Sequence, residues 1–291
     1  MKRIARIVPL IAMLALVAST VQAAPLTAEE KQATTEYVQR LHNEDEGFRA
    51  AAASGPSTLS ATLTALRAIR YLGNRKLPGV TRFLYLCTDP SGGFVDMPGG
   101  AADVRTTAMG LMVSAESMNR LAEDPPYLIR EYFEKHAATI PDLYIATAAL
   151  DAAGLKLKKA PEWIKSFEAT LNPDGTYGKS PAENAGVAIS LMRLGAPLKD
   201  PAAVGQSLKA AQRADGGFAA SGDKSDLAST YRIVRALYML KQKPDIERLR
   251  AFIAKCRNAD GGYGVSPGQP SAVSSTYNAA VVSYWLDELE K

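Results

Sequence analysis

Asp215-Gly216-Gly217-Phe218 decides the fold, because variants of it recur along the chain as Asp45-Glu46-Gly47-Phe48, Ser91-Gly92-Gly93-Phe94, Asp174-Gly175-Thr176-Tyr177 and Asp260-Gly261-Gly262-Tyr263. Successive aromatics lie 46, 83, 41 and 45 residues apart, so the longest gap holds two units. Each unit carries two amphipathic segments around the motif. A period of this length marks an array of helical hairpins, none of which buries its apolar face alone. In such a turn Asp accepts hydrogen bonds from nearby backbone N–H groups, Gly reverses the chain, and the aromatic wedges between hairpins. The motif therefore reads as structural, not as a catalytic Asp.

The hairpins follow in order. Thr27-Ala28-Glu29-Glu30 is a capping box opening a helix that ends near His42, and its partner runs from Ser57 to Leu72. Val80–Cys87 pairs with Asp103–Met118, Tyr127–His136 with a helix restarting at Asp142, and Ala160–Leu171 with Ala182–Leu194. Pro201–Arg213 with Ser225–Leu240, and Asp245–Cys256 with Ser271–Leu289, complete the set. The third turn, Ala138-Thr139-Ile140-Pro141, has lost both glycines. Six hairpins with no strand segment predict an all-α protein. An open array would show polar capping units, whereas the last helix carries Tyr277, Tyr284 and Trp285, so first and last units are expected to close a ring.

Residues 1–23 read as a signal peptide, with Lys2, Arg3 and Arg6, a short apolar core and Val21-Gln22-Ala23 at the cleavage point. Residues 24–291 form one toroid domain, expected to be secreted or periplasmic, with no membrane span, which would need about 20 apolar residues. Removing the three basic residues takes the formal charge from +4 to +1, which gives no support for a nucleic-acid partner. Cys87 and Cys256 both precede their aromatic by seven residues, so they occupy equivalent places in non-neighbouring units and are expected to be unpaired.

The residues around the turns carry a family likeness. Phe94-x3-Pro98-Gly99 with Asp103 and Thr107, and Tyr263-x3-Pro267-Gly268 with Thr276, resemble the repeats of protein prenyltransferase β subunits, nearest the Rab geranylgeranyltransferase type. Gln212-x3-Gly216-x-Phe218 is similar to the glutamine-aromatic motif of squalene and terpenoid cyclases. From about Glu36 to Trp285 the resemblance implies an α/α toroid of twelve helices, the inner ones surrounding a funnel. It also implies a zinc site and a diphosphate clamp, and this chain departs from both. Asp226 matches the family's zinc-binding Asp, but Ala228 and Ser275 replace its Cys and His. Ala220 and Asp223 stand at or near the clamp's Arg and Lys, leaving Lys224 and Tyr231 as displaced candidates. The cyclase Asp-x-Asp-Asp and the thioester Cys-Gly-Glu-Gln motifs are absent. No cofactor and no metal ligand set is expected.

Asp103, Asp142, Glu183 and Asp226 begin four inner helices, where a carboxylate meets free N–H groups and the positive end of the dipole. Tyr144, Tyr231 and Tyr277, with Arg105, stand near those starts and either line an apolar funnel with a few polar handles or, for the tyrosines, pack between helices and, for Arg105, face solvent. The candidate ligand-binding set is Arg105, Asp226, Tyr231 and Tyr277. His42 and His136 read as surface residues. Two function classes stay open: a metal-free binding or scaffold protein offering its funnel to a lipid, isoprenoid, peptide or protein partner, and an enzyme. The enzyme would be a divergent prenyltransferase or cyclase, or a lyase or hydrolase using the acidic mouth.

Overall fold

A computed structural model describes residues 24–53, 55–74, 76–117, 126–220 and 222–291; the segment read as a signal peptide lies outside these. The described residues form twelve α-helices and no strand. Six line the inside: α2 (Leu59–Tyr71), α4 (Val104–Ser117), α6 (Ile140–Ala152), α8 (Pro181–Arg193), α10 (Leu227–Met239) and α12 (Val273–Glu290). Six lie outside: α1 (Ala28–Gln39), α3 (Thr81–Leu86), α5 (Pro126–His136), α7 (Ala160–Glu168), α9 (Pro201–Ala210) and α11 (Ile246–Lys255). Each inner helix packs on the next, and α12 packs on α2, so the array is a closed α/α toroid.

The repeated turn does structural work in every copy. Oδ1 of Asp45, Asp215 and Asp260 accepts the N–H two residues on at 2.9–3.0 Å, and the hydroxyls of Ser57, Ser225 and Ser271 at 2.7–2.8 Å. Asp89 and Asp174 also accept the N–H two residues on, from Ser91 and Thr176, and take their hydroxyl from that same residue within the loop. The aromatic side chains are buried to 2 % exposure or less, the interior burial that gives a wedge its energy. Their backbone N–H groups donate to side chains of the following inner helix: Thr62, Thr107, Asn184, Thr230 and Thr276, at 3.0–3.1 Å. A buried amide is thereby paired at each of these five turns.

Neighbouring units interlock where the turn offers no side chain. A Cβ on Gly47, Gly93, Gly217 or Gly262 would stand 2.7–2.8 Å from the ring of Phe83, Tyr132, Phe252 or Tyr37, each on the next unit's outer helix. Tyr37 belongs to the first unit and Gly262 to the last, so this joint also crosses the closure. The third turn is the exception foreseen. Its inner helix begins at Ile140, two residues before the Asp142 start expected from sequence, because Thr139 caps it and Pro141 sits in the first turn, where its missing N–H costs nothing. Cys87 and Cys256 are buried free thiols at the C-caps of α3 and α11.

Candidate functional site

Inner helices face outer helices on one side and the ring centre on the other. On α10 the residues Tyr231, Arg235 and Tyr238 share one face at helical spacing, on α2 Arg67 and Tyr71 do, and on α12 Tyr277 and Trp285 follow the same rule. These faces converge. Tyr277 donates its hydroxyl proton to the Tyr231 oxygen at 3.2 Å, and Arg235 donates to the same oxygen at 2.9 Å. Trp285 stacks on Tyr231 and on Tyr238, with ring centroids 5.6 Å apart in both cases, and the Arg235 guanidinium lies 5.7 Å from the Trp285 ring centre. Tyr71 closes the wall against Tyr277 and Trp285.

The centre is cationic. Arg67 pairs with Glu116 at 2.9 Å, but Glu116 also serves Arg70 at 2.7 Å. Arg193, with its side chain 5 % exposed, has only the half-exposed Asp151 at 3.3 Å, and its buried Nε and one terminal nitrogen make no hydrogen bond. Arg67, Arg70 and Arg193 thus share two carboxylates, while Arg235 bonds the Tyr231 phenol oxygen. Burial and the nearby Arg235 charge push Arg193 below the usual arginine range. Burial alone would raise Tyr231, yet Arg235, Arg67, the Tyr277 hydroxyl and Arg193 outweigh it and bring the phenol down to about 8. Tyr277 moves the other way, raised by burial and by Tyr231 beside it.

Of the residues singled out from sequence, Tyr231 and Tyr277 meet at the centre. Tyr144 interacts electrostatically with Tyr231 and lies under the Arg232 guanidinium at 5.7 Å. Asp226 caps α10: its oxygens accept the Ser229 N–H at 2.8 Å and hydroxyl at 2.7 Å. Arg105 stands exposed on the first turn of α4 and makes none of these contacts. Asp103, Asp142 and Glu183 are likewise engaged with backbone N–H groups at their helix starts. His42 and His136 are exposed and stack on Phe48 and Tyr132.

The polar handles at the ring centre include arginines interleaved with the tyrosines. Arg67, Arg193 and Arg235 were not read from sequence, although the Tyr231-Arg235-Tyr238 spacing on a helix otherwise buried by Ile233, Val234 and Leu237 was a signal for them. Zinc does not fit the family's position here. Asp226 is already bonded through both oxygens, Ala228 and Ser275 offer no thiolate or imidazole, and no three His, Cys, Asp or Glu side chains cluster as a metal site among the described residues.

The chain was compared with known proteins. No curated protein shows significant sequence similarity to it. Among solved structures, a protein from Actinoplanes superposes with a TM-score of 0.61 at 14% identity, covering 91% of this chain and 99% of that one. A variant of the type II terpene cyclase MstE from Scytonema, in complex with its substrate geranylgeranyl dihydroxybenzoate, gives 0.60 at 12% identity over 90% and 97% of the two chains. A glycosidase variant in complex with glucose gives 0.57 at 14% over 90% and 96%. At these identities the likeness is one of fold, and chemistry has to be argued from the site. The profile of the prenyltransferase alpha-alpha toroid domain matches residues 7–131 and 128–291, together nearly the whole chain, and the protein belongs to that family.

Proposed function

We propose that this chain is an exported, zinc-independent toroid that binds an anionic ligand with an isoprenoid or other lipid body at the centre of its ring. The carrying observation is the convergence of Arg67, Arg193 and Arg235 on a wall of Tyr71, Tyr238 and Trp285. A buried cation lacking its full set of acceptors is costly, and an oxyanion supplies them to Arg193. The aromatic faces offer apolar surface to the rest of such a molecule. Two further points support the reading. A structural relative binds geranylgeranyl dihydroxybenzoate, whose name joins an isoprenoid chain to a benzoate. The basic start, apolar core and small residues of 1–23 support export.

The test uses Trp285 as reporter in a Trp163→Phe background. Geranylgeranyl phosphate should quench its fluorescence saturably without added metal, geranylgeraniol should bind far more weakly, and Arg193→Met and Arg235→Met should each weaken the phosphate by roughly tenfold or more. Equal binding of the alcohol would remove the anion site, and a zinc requirement would remove the metal-free reading.

A further inference from the structure

We propose that the ring centre is catalytic and that Tyr231 is its proton-transfer residue, acting on a C–H or O–H bond beside the anionic group held by Arg67, Arg193 and Arg235. This rests on the anion-binding reading above and adds chemistry to it. A guanidinium has no acceptor, so the 2.9 Å contact makes Arg235 the donor and the Tyr231 oxygen the acceptor. Tyr277 supplies the second donated proton at 3.2 Å. Tyr231 therefore accepts twice, and its own hydroxyl proton has no acceptor among the described residues.

The phenol is also held in place. Its ring lies on Trp285 with planes 24° apart, and Arg235, which bonds its oxygen, is itself stacked over Trp285. A tyrosine that only packs in this fold behaves differently. Tyr37 on α1 and Tyr263 in the last turn, both buried, are pushed up to about 12, chiefly by burial. At the centre the arginines reverse the effect of burial on Tyr231, so both its neutral and ionised forms are present close to neutral pH, where a general acid–base residue works best.

The acidity limits the chemistry. A phenol in this range is too weak an acid to protonate an unactivated alkene, so alkene-initiated cyclisation is not its task. It suits abstraction of a proton made labile by a carbonyl in a substrate that also carries the anionic group. In that step the substrate C–H or O–H bond breaks, the proton goes to the Tyr231 oxygen, and the electron pair stays on the substrate. Arg67 and Arg193 offset the charge that develops there, and Arg235 and Tyr277 release the charge they had stabilised on the phenolate. No oxidant or second reactant is required.

The test is a pair of electrophiles, 4-(fluorosulfonyl)benzoate and the uncharged 4-toluenesulfonyl fluoride. The phenolate oxygen attacks sulfur, the S–O bond forms and fluoride leaves, so the label reports both ionisation and placement. Peptide mapping should find the anionic probe on Tyr231 at pH 8 roughly tenfold faster than the neutral one, with the 72 % exposed Tyr85 at background. Tyr231→Phe, which keeps the stack on Trp285, should abolish the label and also remove the near-ultraviolet phenolate absorbance that grows in around pH 8. Labelling of Tyr231 by both probes at one rate, indifferent to Arg193→Met, supports the activated phenol and overturns the anion site. Saturable binding of the benzoate with the label elsewhere, or phenolate absorbance unchanged in Tyr231→Phe, overturns the proton-transfer role while leaving the anion site standing.

Discussion

The backbone N–H of Val273, at the start of the last inner helix, donates to the carbonyl of Ala50 in the first unit's turn at 2.9 Å. The same bond joins Leu59 to Asp96 and Leu227 to Val265, each from one unit's inner helix to the next unit's turn. The closure is therefore built as an ordinary interior joint, with Arg40 of the first unit also donating to the Asp260 carbonyl of the last at 2.8 Å.

Gly261 tests that joint. Its φ is +87°, and a Cβ there would lie 2.5 Å from the Ala33 carbonyl oxygen on α1. Gly261→Ala adds left-handed backbone strain to a clash with another unit's main chain, for an expected loss of roughly 2 to 5 kcal/mol in urea unfolding. Gly195 has φ +74° with nothing within 4 Å, so Gly195→Ala should cost only the strain, about 1 to 2 kcal/mol. Equal losses would mean that the seam between first and last units does not bear on stability.

Phe218 is fully buried, and its N–H is held by Thr230 at 3.1 Å. Phe218→Ala should cost roughly 3 to 5 kcal/mol, as other buried aromatics do. Thr230→Val keeps the shape but leaves the amide unpaired, and should cost about 1 to 3 kcal/mol. A Phe218→Ala loss below about 1 kcal/mol would show the wedge to be exposed in solution.

The fold was legible because one turn repeats with its chemistry intact: Asp45, Asp215 and Asp260 make the same pair of bonds, and periodicity locates the helices on either side. Even the degenerate third turn was found by counting, though not that Thr139 would start the helix ahead of Asp142. The site was less legible. Tyr231 and Tyr277 were picked out by their place near inner-helix starts. Arg67, Arg193 and Arg235 lie further along, on faces that meet only once the ring closes, and a formal charge of +4 over the whole chain does not reveal three cations gathered at one point. Conversely, the acids at the helix starts stand out in sequence because capping repeats.

Burial pushes Cys87 and Cys256 up to about 12 in the folded chain, with Asp96 and Asp215 respectively adding to it. Folded-state pKa values above the unfolded ones mean that the folded chain keeps protons the unfolded chain releases, so stability is full below about pH 9 and falls as pH rises toward 12. Tyr231 has the opposite sign: its contribution is full above pH 10 and is lost as pH falls through about 8. Urea midpoints measured from pH 8 upward should fall less steeply in the Cys87→Ala, Cys256→Ala double variant than in the wild type. Denatured, non-reduced protein should titrate with two free thiols, and finding none would break the equivalence of the two positions.

The last prediction concerns the family's best-known chemistry. Zinc-dependent prenyl transfer needs a metal-bound thiolate on the acceptor and a cationic clamp on the departing diphosphate, since charge develops at both. At the matching positions this chain has Ala228 and Ser275 in place of metal ligands, and both oxygens of Asp226 are taken by Ser229. Ala220 and Asp223 replace the clamp there, and the arginines that do exist, Arg67, Arg193 and Arg235, surround Tyr231 instead. A ring that binds a prenyl anion in this way lacks the family's metal-bound route to an activated peptide thiol. Incubating the mature protein with farnesyl or geranylgeranyl diphosphate, Zn²⁺, Mg²⁺ and cysteine-bearing peptides should therefore give no thioether product, while the anionic lipid still quenches Trp285. Turnover that disappears both with a chelator and with Asp226→Ala would show a metal site rebuilt from residues that cap α10, and would displace the metal-free reading of the ring.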